Sequence, residues 1–98
     1  MEKSDATAAV ERGFALLTSE MPAWRDKVNA GTLSVASIKD CPLAQIFGDY
    51  CDGIYILSGH YGGDEFTAFA VSNGFESPNI EASEYDALTR EWKRLLAE

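Results

Sequence analysis

The chain is expected to fold as an all-α domain, a compact bundle of about five short helices occupying 1–98. Three observations predict this: apolar residues recur at steps of three and four, capping residues and prolines stand where such stretches begin, and glycines stand near their ends. Ninety-eight residues suit one core, and a chain of this length buries roughly 60–70% of its unfolded surface. Two Trp, four Tyr and five Phe supply bulk for it.

Ser4 or Asp5 is expected to cap a first helix running to about Glu20. Val10, Phe14, Leu17 and Met21 form its apolar stripe, and the same beat reaches Trp24 and Val28. Pro22 lacks an N–H and clashes with the preceding turn, so a break at Met21 and a second short helix, Pro22 to about Asn29, are expected, closed by Gly31. From Thr32 to Ile38 the pattern changes, with Leu33 and Val35 alternating with polar or small residues. A loop or short helix is the expectation there. The alternative is an α+β fold in which 32–37 pairs with 54–57 as a two-stranded ribbon.

Asp40 followed by Pro42 reads as a cap and first turn. Leu43, Ile46, Phe47 and Tyr50 give that helix an apolar face, and Asp52-Gly53 closes it. Gly48, mid-helix, costs about 1 kcal/mol relative to Ala and is read as a point of close approach by another helix or ring, such as Trp24 or Trp92, with a tolerated surface glycine as the alternative. Residues 58–63 hold three glycines and form a connector. Asp64 then caps a helix to about Asn73, with Phe66, Phe69 and Ala70 inward, Gly74 as its left-handed stop and Phe75 folding back. The last helix opens on Ser83-Glu84-Tyr85-Asp86 and lines Tyr85, Leu88, Trp92, Leu95 and Leu96 along one face.

Charge argues against nucleic acid as ligand. Sixteen acids against eight bases leave −8, whereas a phosphate-binding face must be basic. No apolar run approaches the roughly 20 residues of a membrane span. The start Met-Glu-Lys-Ser-Asp lacks the apolar segment of a signal peptide, so a cytoplasmic protein is expected. The placement of the charges is more informative than their sum. Residues 40–89 hold nine acids (Asp40, Asp49, Asp52, Asp64, Glu65, Glu76, Glu81, Glu84, Asp86) and no Lys or Arg. They read either as solvated caps and loop residues, some paired with Arg12, Arg25 or Lys27, or as an acidic face that steers a basic partner. Tyr55 and Tyr61 lie in the same stretch, and tyrosine beside carboxylate suits an interface.

Catalytic and metal signals are weak. Cys41 and Cys51, about 15 Å apart if they share one helix, cannot bridge, and read as buried or half-buried free thiols. With His60 they fall short of the four clustered ligands of structural zinc. His60 lies in the glycine-rich connector, a solvated position. Asp49 with Asp52, or Asp64 with Glu65, could hold a cation weakly but lack the alternation of a calcium loop. No nucleophile elbow, phosphate loop or dinucleotide fingerprint occurs. Residues 62–66 spell Gly-Gly-Asp-Glu-Phe, the motif of diguanylate cyclases, but the upstream strands, phosphate-binding lysines and length of that α/β family are missing. The string reads as a connector plus a helix cap.

Several fixed points together resemble a known group. They are Pro22-x-Trp24, the string Cys41-x-Leu43-x-Gln45-x-Phe47-Gly48-x-Tyr50, the Gly74-Phe75 pair and Tyr85-x-x-Leu88-x-x-x-Trp92. Between about Val10 and Leu96 the chain resembles a family of short uncharacterised proteins encoded by actinobacterial phages and prophages. The resemblance implies a small protein of the host cytoplasm, in a genomic setting where such products modify or inhibit host proteins. It carries no functional residues. Most positions in those strings read as packing; Gln45, the polar exception, reads as a hydrogen-bond partner of the backbone, with a role in partner recognition as the alternative.

The functional expectation is a non-catalytic accessory protein that binds a host protein through an acidic surface, with Asp49, Asp52, Tyr55, Tyr61, Asp64 and Glu65 as the partner-binding residues. No catalytic residue, metal or cofactor is assigned, and neither nucleic acid nor membrane is an expected partner. The alternatives are a self-assembling homo-oligomeric module with an exposed aromatic seam and an acidic DNA mimic.

Overall fold

The computed structural model describes residues 3–98, with side chains from Asp5 onward. It contains five α-helices: α1 (Lys3–Glu20), α2 (Pro42–Phe47), α3 (Tyr50–Ser58), α4 (Gly63–Ser72) and α5 (Ala82–Leu96). A 3₁₀ turn, Trp24–Lys27, follows α1. The all-α expectation holds. The ribbon does not form: among the described residues there is no strand, and 54–57 lies inside α3.

α1 and α5 pack on each other along their length. α4 leans on α1, and α2 and α3 pair at the other side. The stripe Val10, Leu17 and Trp24 is fully buried, as are Leu88 and Trp92 of α5. Trp24 meets Trp92 edge-on at 6.0 Å, and Phe75 stacks on Trp92 at 5.6 Å, so three large rings form the centre. Burial of each such side chain contributes roughly 1.5–3 kcal/mol. Both indoles are satisfied. Trp24 Nε1 donates to Thr18 Oγ1 (3.2 Å), and Trp92 Nε1 donates to the Gly74 carbonyl (2.8 Å).

The ends of the helices differ from the expectations in instructive ways. α1 already includes Ser4 and Asp5, so neither is its cap, and the cap lies outside the described residues. After the break at Met21 only a 3₁₀ turn forms, because Val28 turns extended well before Gly31. Cys41, not Asp40, caps α2: its Sγ accepts the Ala44 N–H at 3.4 Å, with Pro42 in the first turn. The helix expected to run through Gly48 stops there, since Gly48 adopts φ 88° as a left-handed cap and nothing lies within 4 Å of a Cβ built on it. Asp49 restarts the chain as the cap of α3, accepting the Asp52 N–H at 2.9 Å. Gly53 therefore does not close a helix. It is buried inside α3, where a Cβ would come within 2.9 Å of Leu43 and Phe47.

Gly62 stands at the cap of α4, with Asp64 in the first turn rather than at the cap. Glu81 stands where a Ser83 cap was expected. At the end of α4 the expectation holds in detail. The Phe75 N–H reaches Ala70 O (2.9 Å) and the Gly74 N–H reaches Val71 O (3.3 Å), a Schellman motif with Gly74 at φ 75°.

The segment between the 3₁₀ turn and α2 has no regular structure, yet its alternation is real. Leu33 and Val35 are buried while Thr32 and Ala36 face out. Gln45 anchors the segment. Its Oε1 accepts the Asn29 N–H (2.6 Å), and its Nε2 donates to Asp40 O (2.8 Å). Gln45 thus takes the backbone-bonding role expected of it. A side-chain hydroxyl, Thr89 Oγ1, completes the loop by accepting the Val35 N–H at 3.0 Å.

Candidate functional site

Four of the six residues selected from sequence converge on one face, where α3 turns into α4. Asp52, Tyr55 and Ile56 share one side of α3 through i, i+3 and i+4 spacing. Gly59 ends the helix at φ 81°, and the Ser58 hydroxyl accepts the His60 N–H at 3.0 Å. The reversed chain then lays Tyr61 back over α3. Its ring sits 5.3 Å from that of Tyr55, and its hydroxyl donates to Asp52 Oδ1 at 3.0 Å. That bond holds the Tyr61 phenol above its ordinary pKa, since losing the proton would set a phenolate beside a carboxylate.

The clustering of exposed apolar side chains distinguishes this face among the described residues. Tyr55 is 49%, Ile56 62% and Tyr61 65% exposed, three large apolar side chains on one short helical hairpin. Asp49 lies one turn earlier as the α3 cap. Across the turn, Glu65 Oε2 lies 3.8 Å from His60 Nδ1. Asp64 lies in the first turn of α4, exposed. Ile56 belongs to the face and was not selected from sequence; its i+4 relation to Asp52 was the available signal, concealed by the expectation that Asp52-Gly53 closes a helix.

The nine acids of the cation-free stretch do not form one surface. Glu84 is buried, accepting from the Ser77 hydroxyl and from the Asn79 backbone N–H and side-chain Nδ2 (both 3.0 Å). Those donors, the Ser77 hydroxyl foremost, lower its pKa to about 2. Glu76 is half-buried, accepting from the Tyr85 hydroxyl and from Tyr50 at 3.5 Å. Nor do Arg12 and Arg25 pair with these acids as expected. They donate to the carbonyls of Ser72 (2.8 Å) and Leu96 (3.0 Å), at the ends of α4 and α5. Among the described residues, the ion pairs made by Lys or Arg are those of Arg94, with Glu11, Glu91 and Glu98.

Both cysteines are free thiols. Cys41 is buried, and that burial pushes its pKa upward; Cys51 is exposed, against the expectation of two sheltered thiols. Neither shares a helix with the other. No helix among the described residues is long and apolar enough to cross a membrane. The Gly62–Phe66 string begins α4 and joins no hairpin of strands. No protein family, curated protein or solved structure matches the chain.

Proposed function

We propose that this chain is a non-catalytic binding protein whose α3–α4 face engages a protein partner carrying a basic surface. In the setting implied by the resemblance to phage proteins, that partner is a host protein met in the cytoplasm. One observation carries the reading: Tyr55, Ile56 and Tyr61 stand exposed together while Asp52 pins Tyr61 in place. An aromatic pair held before binding loses little rotamer freedom when a partner covers it, which favours affinity. Asp49, Asp52, Asp64 and Glu65 supply the field that would steer a cationic surface onto it.

Charge also favours a foreign partner over a second copy of the chain. A two-fold contact through this face would bring two copies of the same anionic surface together, a repulsive arrangement. Mimicry of DNA is less well supported, because tyrosine and isoleucine interrupt the carboxylates.

The test separates charge from fold. Asn caps a helix as well as Asp does and keeps the acceptor for Tyr61, so an Asp49→Asn, Asp52→Asn, Glu65→Gln variant is expected to fold normally. Proteins retained from host lysate by the wild type are expected to be lost with this variant and kept by a control, Glu81→Gln with Asp86→Asn. Equal retention by all three would overturn the reading.

A further inference from the structure

A second, unrelated feature lies beside the irregular segment. Val35, Ile38, Cys41, Tyr50, Glu76 and Tyr85 frame a cleft of about 140 Å³. That is the liquid volume of about five water molecules. Ile38, 83% exposed, stands at its edge. Both tryptophans are fully buried in the core and take no part in it.

The chemistry of the cleft centres on Glu76. Its carboxylate accepts the Ser77 N–H (3.0 Å), the Tyr85 hydroxyl and, at 3.5 Å, the Tyr50 hydroxyl. All three donors are neutral. Glu76 forms no ion pair with any described Lys, Arg or His. Burial and the Glu76 charge raise both phenols, Tyr85 to about 12, so each keeps its proton and the negative charge stays on the carboxylate. A half-buried charge of this kind is stabilised by a cation that brings its own donors. The hydroxyl oxygens of Tyr50 and Tyr85 beside it have lone pairs to offer the same cation, and Val35 and Ile38 offer aliphatic wall. An anion would be repelled. A structural metal would want more ligands than one carboxylate, and among the described residues no three His, Cys, Asp or Glu side chains group to hold one.

We propose that this cleft binds an alkylammonium group, supplied as a free small amine or as the tip of a lysine side chain, with Glu76 as the counter-charge and Tyr50 and Tyr85 as aromatic flanks. The site is separate from the α3–α4 face, so either assignment can fail without the other.

The experiment is a titration of ¹⁵N-labelled protein with n-butylammonium chloride, followed by amide shifts. n-Butanol serves as the uncharged isostere and Nα-acetyl-lysine methylamide as the side-chain form. Saturable shifts at Ser37, Cys41, Ser77 and Tyr85 are expected with butylammonium, and binding about tenfold weaker or absent with butanol. Glu76→Gln is expected to weaken amine binding by about tenfold or more. Ile38→Trp leaves the Glu76 hydrogen bonds untouched and is expected to obstruct the mouth and weaken binding severalfold. Binding of the lysine derivative alongside the free amine assigns a side-chain ligand; binding of butylammonium alone assigns a small amine. Absence of saturable shifts, equal response to amine and alcohol, or wild-type binding by both variants would overturn the proposal.

Discussion

The Tyr61 hydroxyl donates to Asp52 Oδ1 at 3.0 Å, tying the connector between α3 and α4 back to the first turn of α3. The ten residues from Asp52 to Tyr61 are closed into a loop by that bond and by the contact of the Tyr61 ring with Tyr55. The bond also links electrostatics to geometry, since the carboxylate that orients the ring raises its phenol. Asp52→Asn keeps an acceptor but removes the charge. The Tyr61 phenol is therefore expected to titrate at lower pH in the variant, nearer the ordinary value of 10. Ultraviolet titration with Tyr55→Phe in both proteins checks this, and an unchanged Tyr61 titration would count against the bond.

Gly13 and Gly48 predict opposite mechanisms for one substitution. A Cβ on Gly13 would lie 2.0 Å from the Asn73 carbonyl oxygen and 3.0 Å from the Trp92 ring. Gly13→Ala must push α1 away from the end of α4, and a loss of about 3 kcal/mol is expected. Gly48→Ala meets no atom and pays only for its left-handed backbone, about 1–2 kcal/mol. Urea denaturation of the two variants measures the difference. Equal losses would show that the α1–α4 contact yields more easily than its spacing implies.

Ile80 is a β-branched residue at φ 54° and 80% exposed. The backbone is held there by the loop that Glu84 gathers through Ser77 and Asn79. Asn tolerates the left-handed region and loses no packing at so exposed a position. Ile80→Asn is expected to stabilise the fold by about 1 kcal/mol, read as a higher urea midpoint with an unchanged slope.

Acid should unfold the protein partly through Glu84. Its folded pKa of about 2 lies below the ordinary 4.5. The stabilisation from its ionised form is therefore complete above about pH 4.5 and lost as pH falls toward 2. Ser77→Ala removes the largest cause of that depression. The variant is expected to be less stable at neutral pH and to lose less additional stability between pH 4.5 and 2. Urea midpoints measured across that range test it, with parallel pH profiles as the contradicting result.

Much of the helical framework was legible, and for a physical reason. The periodic stripe from Val10 to Trp24 and the face from Tyr85 to Leu96 are long enough for period alone to identify them, and Gly74-Phe75 carries a local geometry that only glycine permits cheaply. The middle was not legible. Gly48 and Gly53 are indistinguishable by composition, yet one is a left-handed cap and the other a packing contact inside a helix, and only tertiary neighbours decide between them. The same ambiguity left Ile54–Leu57, a short apolar run, readable as strand or helix. Four of the six residues selected from sequence nonetheless meet on the α3–α4 face, because Asp52 and Tyr55 share the helix that Asp49 caps and Tyr61 folds back onto it. Glu76 and Glu84 could not be told from surface acids, since the hydroxyls that hold them come from residues whose proximity depends on loop geometry.

The most direct measurement is the affinity of a partner recovered from host lysate for wild-type protein and for a Tyr55→Ala, Tyr61→Ala variant, each titrated at low and at high salt. Wild-type binding is expected to weaken as salt rises, and removing the two rings is expected to cost about 100-fold or more with the helical fold intact. Affinity that ignores both salt and the two substitutions would contradict the proposed role of the α3–α4 face.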